Sequence, residues 1–170
     1  EEVDRRAPII ALKQKEPPVV RNCVEMSKLE SLHSFFALCD SENFSGKVQF
    51  AWLESEWLGG LCDEGDTMLK EGQVAPLFAL PDADMQSVDV AAFRGKNNVI
   101  LFFYPKDGTP GCTLEATDFS DHEEEFLSRD CVVIGISRDD CLKHAEFRDN
   151  HGISVCLLSD ADGVVCKKYG

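Results

Sequence analysis

The stretch from Phe102 to Phe119 constrains this chain more than any other. It reads Phe-Phe-Tyr-Pro-Lys-Asp-Gly-Thr-Pro-Gly-Cys-Thr-Leu-Glu-Ala-Thr-Asp-Phe. The run from Asn98 to Tyr104 is almost wholly apolar, as expected of a strand covered on both faces. A turn rich in Pro and Gly follows. Thr109 then suits a helix N-cap and Pro110 the first helical position, where a missing N–H costs nothing. The segment predicts strand, loop and helix, with Cys112 in the helix's first turn.

That position matters because the thiolate is the reactive form of cysteine. A free thiol has a pKa of about 8.5, and helix N-termini or neighbouring cations lower it to roughly 3.5–7.5. Unpaired N–H groups and the helix dipole favour an anion at this end. A low-pKa, accessible thiolate attacks a peroxide oxygen and becomes a sulfenic acid. The competing reading is a small buried cysteine that only packs.

Composition narrows the function classes. A net charge of −14 argues against a nucleic-acid partner and against an anionic membrane surface. No apolar run approaches the roughly 20 residues needed to span a bilayer. The opening Glu-Glu-Val-Asp-Arg-Arg does not read as a secretory signal. Eight cysteines, at 23, 39, 62, 112, 131, 141, 156 and 166, are scattered through helix and strand patterns. This predicts mostly reduced thiols in a cytoplasmic, reducing compartment. No Cys-x-x-Cys occurs, which argues against a thiol–disulfide reductase.

Residues 1–67 carry no chemical motif and are left unassigned. Pro17-Pro18 breaks the opening, Val20 to Leu38 has helical spacing, and Lys47 to Leu53 alternates as a short strand. Cys23, Cys39 and Cys62 lack regular metal-ligand spacing. From Met68 the pattern clears. Ala75 to Leu80 is extended, Cys131 to Ile136 and Ile153 to Leu158 are strands, and Asp139 or Asp140 opens a helix ending near Gly152. Pro110 to about Ser128 predicts one helix with Cys112, Ala116, Phe119 and Phe126 on its apolar face. Glu115, Asp118, Asp121, Glu124 and Glu125 are expected on the opposite face, with His122 solvated. Ser159 and Asp162 have capping-box spacing before a last helix to Tyr169. Alternating strands and helices imply an α/β layer with parallel pairing.

Pro105, Thr109 and Cys112 match the Pro-x-x-x-Thr-x-x-Cys signature of the peroxiredoxins, and the chain from about Met68 to Gly170 resembles the bacterioferritin comigratory protein, or peroxiredoxin Q, branch. Gly-Gln-Val-Ala-Pro-Leu-Phe-Ala-Leu-Pro-Asp (72–82), Gly-Ile-Ser-Arg-Asp (135–139) and Leu-Leu-Ser-Asp-Ala-Asp-Gly (157–163) extend the match in the family's order. The resemblance implies a thioredoxin-like fold over 68–170, preceded by the 1–67 extension. It assigns Cys112 as peroxidatic nucleophile, Thr109 as hydrogen-bond partner of thiolate and peroxide, and Pro105 as a shield against water. Backbone N–H groups near Gly111 and Cys112 would help hold the peroxide oxygen.

The family's start resembles Met68 onward, so Met68 is expected as the natural start, with 1–67 a fused piece or translated upstream sequence. The family also has an active-site Arg, further strands and a final helix that would follow Gly170. The chain is therefore expected to be C-terminally incomplete and impaired as a peroxidase. Relatives carry a resolving cysteine at positions held here by Thr117 or Arg148, which leaves Cys141 as the candidate, or an external thiol. Cys131, Cys156 and Cys166 are expected to pack. Cys141, His144, His151 and Cys156 do not form a standard zinc spacing.

The expected function is a thiol-dependent peroxidase that reduces hydrogen peroxide and organic hydroperoxides and is recycled by thioredoxin or a similar dithiol. No metal or organic cofactor is expected, nor a nucleic-acid or membrane partner. A monomer is expected, with a dimer left open. The alternative is a non-catalytic thioredoxin-like binding module within a larger protein.

Overall fold

The computed structural model describes the backbone of residues 8–13 and 19–25, together with residue 69 and residues 73–169. In chain order the elements are β1 (Pro8–Lys13), β2 (Val19–Glu25), β3 (Ala79–Pro81), β4 (Ser87–Asp89), a 3-10 turn (Val90–Phe93), β5 (Asn98–Phe103), α1 (Pro110–Asp121), α2 (Glu123–Leu127), β6 (Cys131–Ser137), α3 (Cys141–His151), β7 (Cys156–Ser159) and α4 (Val164–Tyr169).

Five strands form one sheet in the order β2-β1-β5-β6-β7. The β5–β6 and β6–β7 pairs are parallel, and β1 is antiparallel to both β2 and β5. β3 and β4 form a separate two-stranded ribbon. Its end reaches the main sheet through a bridge between Asp82 and Leu158.

β5 is buried on both faces, as its apolar run predicts. Its side chains alternate between two cores. Ile100, Phe102 and Tyr104 join Cys112, Ala116, Phe119, Phe126 and Phe147 on one side. Val99, Leu101 and Phe103 join Ile134, Ile136, Val165 and Tyr169 on the other. Tyr169 packs on Phe103 and Phe78, and its hydroxyl donates to the Pro76 carbonyl at 2.7 Å.

Several local expectations change. Residues 20–25 form β2 rather than the start of a helix; the rest of that proposed helix and the strand proposed at 47–53 lie outside the described residues. The two Val residues after Pro17-Pro18 are β-branched and favour extended backbone, and β1 supplies the partner for it. The long helix splits at His122, whose φ of −109° and ψ of 9° end α1 and begin α2; its Nδ1 lies 2.9 Å from the Asp118 carbonyl. Glu115 is buried, at 3% exposure, because α1 is covered on more than its apolar stripe. The last helix is capped by Asp160, whose carboxylate accepts from the Val165 and Cys166 N–H groups, while the Ser159 hydroxyl donates to the Asp139 carbonyl. β7 begins at Cys156 rather than Ile153.

Gly135 sits opposite Phe102 in the parallel ladder. A Cβ there would lie 2.6 Å from Phe102 Cζ and 2.9 Å from Leu157 Cδ2. Phe102 has little room to yield, since it stacks on Phe119 at 4.8 Å and Tyr104 at 5.6 Å. Gly135→Ala is expected to cost about 1–3 kcal/mol, read as a lower urea midpoint with unchanged slope.

Burial pushes the Cys156 thiol from 9.0 up to about 11, with the charges of Asp82 and Glu123 adding to the rise. The unfolded chain loses this proton first, so the group's contribution is present below pH 9 and is lost as pH rises towards 11. Stability is expected to fall across that window by up to about 1.4 kcal/mol per pH unit from this thiol. Cys156→Val should flatten that part of the denaturation profile.

Candidate active site

The pleat of β5 extends one residue past the strand, because the Tyr104 N–H donates to the Ile136 carbonyl at 3.0 Å. Pro105 has no N–H and ends the ladder there. Gly108 takes a φ of +72°, which turns the chain back towards the sheet. Thr109 follows in extended conformation as the N-cap of α1, with Pro110 at the first helical position. The Thr109 carbonyl receives the Thr113 N–H at 2.9 Å, and its hydroxyl oxygen accepts from the Cys112 N–H at 3.4 Å.

Cys112 is thereby set in the first turn, 7% exposed, against Tyr104, Ala116 and Phe119. The turn brings Thr109 beside it and places half-buried Pro105 at the end of the strand that leads into it. Cys141 opens α3, half-buried and one helical turn ahead of His144 on the same face. The five described cysteines are free thiols. Cys131 and Cys166 are buried, and Cys156 is half-buried.

The electrostatics at Cys112 run against the sequence expectation of a lowered pKa. Burial raises its pKa, and this is the largest influence. Hydrogen bonds from the Thr109 side chain and the Lys106 backbone lower it. The carboxylates of Glu115 and Asp107 raise it further. The helix terminus therefore supplies donors to the thiolate, but desolvation outweighs them.

A network of polar residues to which the sequence gave no role at the site holds the loop. The Asp107 carboxylate accepts from the Tyr104 hydroxyl at 2.8 Å and lies 2.8 Å from His144 Nδ1. The Asp107 N–H donates to Asp139 Oδ2 at 2.8 Å. Asp139 is itself held by the Ser137 hydroxyl and approached by the Lys143 ammonium at 3.4 Å. The one signal available beforehand was His144 itself, a histidine on the same helical face as Phe147 and three residues after Cys141. Arg148, at a position where some relatives are expected to carry a resolving cysteine, pairs with Asp84 and Asp149 at 2.9 Å each. Among the described residues, no three His, Cys, Asp or Glu side chains converge as a metal-ligand set. Among them also, no helix is long and apolar enough to cross a membrane.

A model of the AhpC/TSA family matches residues 72–170. Peroxiredoxin Bcp of Escherichia coli is 40% identical over 102 residues, which cover 60% of this chain and 65% of that protein. The chloroplastic peroxiredoxin Q of Oryza sativa is 41% identical over 102 residues, 60% of this chain and 46% of the relative. The chain thus spans between about half and two thirds of the length of these relatives. The crystal structure of peroxidoxin BcpB from Mycobacterium tuberculosis superposes with a TM-score of 0.55 at 38% identity, covering 56% of this chain and 62% of the other. These neighbours share the thioredoxin-like α/β fold that the sequence resemblance implied.

Thr109→Val removes both the N-cap and the hydroxyl beside the thiol. It is expected to cost about 1 kcal/mol of stability. It should also move the pH midpoint for alkylation of Cys112 upward from a wild-type value already above the ordinary 9.0. Urea denaturation checks the first statement, and peptide-resolved iodoacetamide labelling across pH checks the second.

Proposed function

The chain belongs to the AhpC/TSA family, and from that premise we propose that it is a thiol-dependent peroxidase acting on hydrogen peroxide and organic hydroperoxides through Cys112. The observation that carries this reading is the seating of Cys112 in the first turn of α1, with the hydroxyl of the N-cap Thr109 accepting from its N–H at 3.4 Å.

In the first step the Cys112 thiolate attacks one peroxide oxygen. The S–O bond forms as the O–O bond breaks, and the leaving oxygen takes a proton to depart as water or an alcohol. Sulfur is oxidised to the sulfenic acid. A second thiol then attacks that sulfur, expels water and forms a disulfide, which a thioredoxin-like dithiol reduces by exchange. Thr109 steadies the thiolate and the incoming peroxide. N–H groups of the first turn near Gly111 and Cys112 face the developing charge. Pro105 shields the sulfur from water.

Cys141 is the candidate resolving thiol. Its support is the tie between the Asp107 loop and both sides of the α3 start, through Asp139 and His144. A Cys112–Cys141 disulfide requires Cα atoms within about 7 Å, so α1 or α3 unwinds to form it. The peroxidase unit is taken as residues 68–170, acting as a monomer or a dimer in a reducing, cytoplasmic compartment. Because burial holds the Cys112 thiol protonated, the peroxide rate is expected to rise with pH.

Brief substoichiometric peroxide with a sulfenic-acid trap, followed by peptide mass spectrometry, tests the reading. Label on Cys112 ahead of the other seven cysteines supports it, and a Cys112–Cys141 disulfide adds the internal resolver. Oxidation spread evenly over the cysteines would overturn it.

A further inference from the structure

We propose that Tyr104 and His144 are positioning residues that clamp Asp107, and through it hold the loop whose Thr109 caps the helical turn carrying Cys112. The proposal rests on the reading of Cys112 as the reactive thiol.

Asp107 lies two residues before Thr109 in the chain, and the Thr109 hydroxyl accepts from the Cys112 N–H at 3.4 Å. Asp107 itself is tied at three points. Its N–H donates to Asp139 Oδ2 at 2.8 Å, one carboxylate oxygen accepts from the Tyr104 hydroxyl at 2.8 Å, and the other lies 2.8 Å from His144 Nδ1. These partners sit on three different pieces of the fold: the end of β5, the β6–α3 connection and the first turns of α3. The connection is anchored in its own right. The Ser137 hydroxyl donates to the Asp139 carboxylate at 3.2 Å, and the Ser159 hydroxyl donates to the Asp139 carbonyl at 2.6 Å.

His144 is the unusual member. It is fully buried, and its Nε2 has no hydrogen-bond partner among the described residues. Packing alone would favour an apolar side chain there, because an unpaired buried nitrogen is unfavourable. What the imidazole adds is the Nδ1–H donated to Asp107, and that bond selects the tautomer whose Nε2 is bare. The titratable and charged groups around it are Tyr104, Asp107, Asp139 and Asp140, with Lys143 on the Asp139 carboxylate. The clamp fixes the loop relative to the start of α1, and so fixes where Thr109 sits against the first turn, whose Cys112 and Thr113 N–H groups it receives.

The test compares His144→Leu, His144→Asn and Tyr104→Phe in the full 170-residue chain. Asn places an amide N–H near the position of Nδ1; Leu fills space without a donor; Phe removes the second donor to Asp107 together with the hydroxyl 3.4 Å from His144 Nδ1. The readouts are the pH profile of Cys112 alkylation, the Cys112 oxidation rate with hydrogen peroxide, and the melting temperature. The Leu and Phe variants should move the alkylation midpoint upward and slow peroxide oxidation by roughly ten- to a hundredfold, the scale on which misplacing a reacting group acts. Asn should restore most of the rate while melting no higher than Leu. An unmoved alkylation profile in Tyr104→Phe overturns the clamp, even if the Leu variant fails to fold. So does an Asn variant as slow as Leu, because the loss would then follow stability and not the donor. If wild-type Cys112 is not selectively oxidised but the alkylation shifts appear, the clamp stands and the peroxidase reading falls. If Cys112 is selectively oxidised but no alkylation shift appears, the peroxidase reading stands and the clamp falls.

Discussion

The parallel pairing of β5 with β6 is the constraint on which the rest of this molecule depends. It is set by a contact with no slack: Phe102 lies across the ladder from Gly135, in the space a Cβ would take. Register in a strand buried on both faces is strongly specified, since a one-residue slip exchanges the two cores. With β5 held in register, Tyr104 closes the ladder on Ile136, and Pro105 stops it one residue later. The loop, the N-cap and Cys112 then follow at fixed positions. The antiparallel β1 completes the other side of β5, so that β5 is internal to the sheet.

At the site itself two effects oppose each other. The first turn of α1 offers hydrogen-bond donors to an anionic sulfur, which alone would lower the thiol's pKa. The same turn is packed beneath Tyr104, Phe119 and Ala116, and burial disfavours the anion. The charged side chains acting on the sulfur, Glu115 and Asp107, are both acidic and add to the penalty. Burial outweighs the donors. The placement of Thr109 and Lys106 matters all the more for that reason, because they are the groups that favour the thiolate.

The buried network around Asp107 joins this site to α3. It links residues 104, 107, 139 and 144, which are dispersed along the sequence but lie within one cluster of short hydrogen bonds. α3 is well defined at both ends, by the Asp140 carboxylate accepting from the Lys143 N–H and by Gly152 in the left-handed conformation. A rigid helix so capped can hold His144 in place against the loop. Arg148 ties the far part of the same helix to Asp84 in the turn of the β3–β4 ribbon.

Much of this was legible in the residues alone. The apolar run of β5, the Thr109-Pro110 start of α1, Asp140 and Gly152 around α3, and the placing of Cys112 all rest on local chemistry: caps, turns and strand patterning act over a few neighbours. Tertiary contacts decided the rest. Val19 to Glu25 became a strand because β1 was there to pair with it, and Glu115 was buried because α1 is enclosed beyond its apolar stripe. Asp160 displaced the expected cap because its carboxylate could reach two N–H groups. The sequence by itself determined where the thiol sits and what donors its helix offers, because those are nearest-neighbour facts. The depth of its burial, the carboxylates around it and the meeting of Tyr104, Asp107 and His144 were decided only by the fold, since desolvation and charge act through space between segments that the sequence keeps apart.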